Sequence, residues 1–105
     1  MDEQRFDKLA AETLKHLERV LTNVDGLEAD LSSDILALEF EDEKKFIINS
    51  HRAARQIWVA ANANAWHFSY DEVSGNWIDT RGGAELKALL SETISRKLGR
   101  SFAVR

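Results

Sequence analysis

Carboxylates are the reactive class this 105-residue chain holds in number, with 18 Asp and Glu against 14 Lys and Arg, and it has no cysteine. Without a thiol the chain can form no disulfide and can hold no thiolate metal site or iron–sulfur cluster on its own side chains. Any metal ion must therefore sit on oxygen or nitrogen. The carboxylates recur on the outward sides of the predicted elements, where a charge run is most simply a solvated face. Glu3, Asp7 and Glu18 fall along one border of an amphipathic helical pattern, Glu28 and Asp30 point outward in a strand pattern, and Glu39 and Glu41 do so in the next. Asp25 and Asp34 stand at the breaks between these elements. Hard cations suit oxygen donors of this kind, and so does a basic patch on another protein.

Other chemistries find little support. His16, His51 and His67 are dispersed in the sequence, with no i, i+4 pair, which argues against a tight histidine metal site. No nucleophile elbow, phosphate loop or Ser/His/Asp order is present, so an enzyme is not expected. A net charge of −4 and a pI near 5.3 disfavour nucleic acid as a partner and favour a cationic one. No stretch approaches the roughly 20 apolar residues needed to cross a bilayer, and the start, MDEQRFDK, lacks the apolar core of a signal peptide. A cytoplasmic protein without membrane contact is the expectation.

Two helices and about six strands must position these groups. Phe6, Leu9, Ala10, Thr13, Leu17, Val20, Leu21 and Val24 recur at helical steps and predict a helix over residues 3 to 24. Alternating or short apolar runs predict strands at 27–31, 35–40, 46–49, 56–60, 65–70 and 76–79, separated by turn-forming residues. From about Ala84 the period returns to helical through Leu98, with Gly99 as the C-cap. The implied fold class is α+β, one domain over residues 1–105, with both terminal helices packed on one face of an antiparallel sheet. Strand parity sends Ile57 and Val59 to the core and Gln56, Trp58 and Ala60 to the open face. An outward Trp among polar neighbours is a candidate contact for a partner.

Asn49 followed by Gln56-Ile57-Trp58, then Trp66-His67-Phe68, Trp77 and the Asp79–Gly83 lead into the last helix resemble the frataxin family, specifically its bacterial CyaY-type homologues. The resemblance covers essentially the whole chain. It implies an α-β-sheet-α sandwich and a role in iron–sulfur cluster assembly. It also implies weak binding of Fe2+ or Fe3+ by an acidic ridge, which by position would comprise Glu3, Asp7, Glu18, Asp25, Glu28, Asp30, Asp34, Glu39 and Glu41. The implied partners are the cysteine desulfurase and the iron–sulfur scaffold protein, with Asn49, Gln56 and Trp58 as contact residues. The protein would regulate their complex, with iron donation as a further role. Leu21, Thr22, Asn23 and Leu27 stand where some homologues carry a dense acidic run, which implies a reduced iron capacity. A monomer is the default, with an iron-dependent oligomer as a further state. The alternative is a ferroxidase or iron store that oligomerises with iron, although ferroxidase centres normally use inward-facing Glu and His in a helix bundle.

Overall fold

The computed structural model describes residues 1–105. Helix α1 spans Glu3–Leu21 and opens on Asp2, whose carboxylate accepts the Arg5 N–H at 2.7 Å and so satisfies one of the unpaired donors of the first turn. It buries Phe6, Ala10, Leu14, Leu17 and Leu21, a single stripe at steps of three and four. Leu14, absent from the predicted stripe, lies at its centre, and Thr13 sits on the margin. The helix stops three residues short of the predicted Val24. Thr22 closes it with its hydroxyl on the Glu18 carbonyl at 2.6 Å, and Gly26 then turns the chain at a φ of 93°.

Six strands follow, β1 (Leu27–Ser32), β2 (Ile35–Phe40), β3 (Lys45–His51), β4 (Gln56–Ala61), β5 (Asn64–Asp71) and β6 (Asn76–Asp79). They form one sheet in the order of the chain, every neighbour antiparallel. Strand β3 runs past the predicted Asn49 because Ser50 and His51 continue the ladder opposite Ile57 and Gln56. Helix α2 (Leu86–Leu98) closes the fold between an N-cap at Glu85 and a left-handed C-cap at Gly99. The inward residues of the strands, including Leu36, Leu38, Phe46, Ile48, Ile57 and Phe68, share one core with the buried stripes of both helices. Each such side chain contributes about 1.5–3 kcal/mol by leaving water. Both helices therefore cover the same face, as the sequence pattern implies.

Two long-range ties fix this arrangement. The Trp77 indole N–H donates to the Thr13 hydroxyl at 3.0 Å, and the Phe6 ring meets Trp77 edge-on with centroids 5.9 Å apart, so α1 is held to the last strand. The C-terminal tail lies back on α2, where the Val104 N–H donates to Ser91 and the Phe102 N–H to Ser95, at 2.8 and 2.9 Å. Val104 is buried by this return and Phe102 is half-buried.

Two stability changes follow. Asn62 and Ala63 form the β4–β5 turn with φ of 52° and 63°, the backbone of a two-residue mirror-image turn. Asn tolerates that region, but Ala63 does so at a cost of about 1–2 kcal/mol, partly offset in any comparison with Gly by the latter's greater chain entropy. Ala63→Gly should stabilise by about 0.5–1 kcal/mol and raise Tm by a few degrees; an unchanged or lower Tm contradicts the strained turn. Deleting residues 102–105 should lower the urea midpoint by an amount equivalent to about 2–3 kcal/mol, since the burial of the Phe102 and Val104 side chains is removed. A tail that merely rests on the surface would leave the midpoint in place.

Candidate functional site

The predicted ridge divides into two electrostatically different ends. At the start of α1, Arg52 donates from Nε to Asp7 at 3.0 Å and lies 3.8 Å from Glu3, while Arg55 approaches Glu3 at 3.8 Å. Asp34, in the β1–β2 turn, lines the same hollow as Asp7 and Arg52. Asp7 and Glu3 thus already have cationic partners, while Asp34 makes no ion pair. The pairs are solvent-exposed, so each holds about 0–1 kcal/mol, and a stronger ligand could displace the arginines.

The opposite end is open. Asp25, Glu28, Glu39 and Glu41, together with Glu43, line a hollow of about 420 Å3 where α1 runs into β1 and β2 runs into its turn. None of the five is in an ion pair. Glu28 and Glu39 stand directly opposite each other in the β1–β2 ladder, and Lys45 is the cation across from Glu39 on the other side. Exposed Asp30 and half-buried Glu18 lie on β1 and α1 between the two ends. Glu43 was not singled out from the sequence, because a turn residue has no strand parity to place it. Here it adopts a φ of 69° and joins the hollow.

No cluster of three or more histidines or carboxylates is close enough to form a ready-made metal cage. The hollow can thus hold a cation through summed charge and partial hydration, with oxygen as the donor. Asp42 does not take part, because its carboxylate is hydrogen-bonded to the Lys97 ammonium. That bond, reinforced by the Lys44 N–H, holds its carboxyl below the usual carboxylate range.

On the open face Trp58 is half-buried and its N–H is used internally, donating to the Gln56 side-chain oxygen at 2.8 Å. The Gln56 amide in turn donates to the Ser69 hydroxyl at 3.3 Å. His51 stacks on one face of the indole, 3.9 Å between centroids at 16°, and His67 on the other, 4.2 Å at 12°. These two histidines, dispersed in the sequence, are brought together by the fold. Register is the cause: His67 stands opposite Trp58 across β4 and β5, and His51 stands opposite Gln56, the neighbouring outward residue of β4, across β3 and β4. One metal ion cannot bridge the two rings, since nitrogens bound to one ion lie within about 4 Å and a whole indole separates these. His16 is remote from the stack, on α1, where its buried Nε2 has no partner.

Comparison with known proteins bears on this geometry. A family model described as a frataxin-like domain matches residues 1–100. A relative from Dechloromonas aromatica (strain RCB), named iron-sulfur cluster assembly protein CyaY, is 38% identical over 100% of both chains. The solved frataxin from Psychromonas ingrahamii matches with a TM-score of 0.90 at 29% identity, covering 100% of this chain and 99% of that one. A trimeric yeast frataxin, from Saccharomyces cerevisiae and complexed with ferrous, shares the fold at a TM-score of 0.60 and 21% identity, covering 95% of this chain and 88% of its own.

The Asp42–Lys97 contact yields a pH dependence with a definite sign. A carboxyl lowered in the folded state adds stability that is complete above the unfolded value of 3.8 and is lost as pH falls through the lower folded value. Asp42→Asn should therefore flatten the decline of stability below about pH 4 in acid-unfolding curves. An unaltered acid limb would show that Lys97 does not hold this carboxylate in solution.

Proposed function

Because this chain belongs to the frataxin family, we propose that it acts in iron–sulfur cluster assembly as a non-catalytic, iron-binding regulator of the cysteine desulfurase and scaffold complex. The observation that carries this reading is the unpaired set of carboxylates around the hollow at the α1–β1 junction. Asp25, Glu28, Glu39 and Glu41, with Glu43 added, would bind Fe2+ or Fe3+ loosely as hard oxygen donors. Glu18 and Asp30 would extend that surface, and Glu3, Asp7 and Asp34 would join when Arg52 and Arg55 are displaced. A basic patch on the desulfurase would be read by the same charge, so iron and partner compete. Asn49 and Trp58 would contact the partner on the open face, and Gln56 would serve by fixing the indole. The protein would act as a monomer, associating further only under iron load.

An anaerobic amide NMR titration with ferrous iron tests the metal half of this. Shifts should centre on residues 24–28 and 39–43, and Glu28→Gln combined with Glu39→Gln should weaken binding about tenfold, equivalent to ~1.4 kcal/mol. The same variant should be more stable by about 0.2–1 kcal/mol, since a like-charged cross-strand pair is removed. Shifts centred on His51 and His67, or affinity unchanged in the variant, would overturn the site.

A further inference from the structure

The open sheet face has a charge pattern of its own. On its β1–β2 side stand Glu28, Asp30 and Glu39, with Lys45 as the one cation in their row. Next come Ala37 and Ile47, paired across β2 and β3, and Ile35, which is 41% exposed. Beyond them lies the stack of His51, Trp58 and His67. A segment crossing this face thus passes from carboxylates, over an apolar middle, to imidazoles.

The stack also restricts what a partner can touch. Both faces of the indole are covered by imidazole and its N–H is taken by Gln56, so only ring edges remain. His51 Nδ1 accepts the Ala54 N–H at 3.3 Å, which in the neutral ring places the proton on Nε2 as an outward donor. Neither imidazole is ion-paired with a carboxylate. The charged groups nearest them are Arg52 and Arg55 in the connector after His51, both turned to Asp7 and Glu3 on α1, Asp34, which lines a hollow with Ser50 and Arg52, and Arg81 just past Thr80, whose N–H donates to the His67 carbonyl at 2.9 Å. The two arginines of the connector are thus spent on α1, and what this corner offers a partner is imidazole N–H groups that no carboxylate of the chain accepts.

The geometry points to a bipolar partner segment on the open face: cationic where it crosses Glu28, Asp30 and Glu39, apolar over Ile35 and Ala37, and carboxylate-bearing where it reaches the edges of His51 and His67. The inference deepens the docking role proposed above and rests on it. Protonating either imidazole turns a neutral hydrogen bond to that carboxylate into a charge-assisted one, roughly twice as strong, and adds cation–π attraction to Trp58. Docking at this corner is therefore stronger with a protonated imidazole than with a neutral one.

Three synthetic peptides of about ten residues test this, a length that crosses several strands spaced about 4.8 Å apart. They share a Leu/Ala centre and carry Lys at one end and Glu at the other, Lys at both, or Glu at both. Binding to the full chain is followed by amide and indole NMR at about pH 5.8 and about pH 7.8. At the lower pH the bipolar peptide should bind about fivefold tighter than the all-Lys peptide, or ~1 kcal/mol, and move the Trp58 indole resonance. Its advantage should shrink at the higher pH and vanish at both in a His51→Gln, His67→Gln variant, with all-Lys binding unchanged. Equal affinity for the all-Lys peptide with Trp58 silent, or an advantage that ignores pH or survives in the variant, overturns the bipolar partner and leaves acidic-flank docking standing. Failure of the all-Lys peptide to shift residues 24–28 and 39–43 would instead overturn the docking role itself.

Discussion

Two helices on one side of a six-stranded sheet leave the other side without cover, and this one-sided burial determines which side chains can act. Because strand residues alternate, every core position is matched by a neighbour that faces water. In β4 the core takes Ile57 and Val59, exposed by 0% and 1%, and Trp58 must then point outward. A bare indole there would expose a large apolar surface. The fold covers it from the sides, with an imidazole on each face and the Gln56 amide on the N–H. The result is an aromatic group held rigid outside the core, which loses little conformational entropy when a partner meets it.

The same constraint acts on charge. Glu28 and Glu39 lie opposite each other on the uncovered face, an arrangement that costs about 0.2–1 kcal/mol where nothing neutralises it. At the other end of the flank the chain does neutralise its acids, with Arg52 and Arg55 reaching Asp7 and Glu3. Unneutralised charge is thus densest at the hollow, where five unpaired carboxylates meet. Exposed charges are screened beyond about 8 Å at physiological ionic strength, so a cation responds to that hollow and little to the distant pairs.

Periodicity made most of this legible in the sequence. The six strands, the Gly99 cap, the outward Trp58 and both helices follow from local patterns that the tertiary structure then reinforces. What escaped depended on register or on long-range contact. His67 reaches Trp58 only because the Asn62–Ala63 turn sets which residue of β5 stands opposite it, and His51 reaches it from β3, where it pairs with Gln56. Asp7 and Arg52 are 45 residues apart, so no local pattern could show that this part of the ridge is already paired. Leu14 was passed over for Thr13, yet Thr13 is half-buried for another reason: its hydroxyl receives the Trp77 indole N–H. The error and the tie have one source, a polar group at the edge of the stripe that is satisfied from 64 residues away.

The absence of a preformed cage bears directly on the proposed regulation. A ligand that shares its site with a partner weakens that partner's binding by the factor one plus its concentration over its Kd, the same mass-action form by which ligands shift any equilibrium. A rigid, complete coordination shell would give a very small Kd, fill at trace iron and then respond to nothing further. Carboxylates spread across a strand pair and a turn bind loosely, so occupancy keeps changing as free iron rises. On the proposed reading, the missing acidic run around Leu21 to Asn23 lowers iron capacity further and moves that response to still higher iron. The imidazole corner lies outside the shared carboxylates, so an acidic group docked there would keep its hold while iron displaces the basic end. Iron would then loosen such a partner by stages and would not eject it in one step.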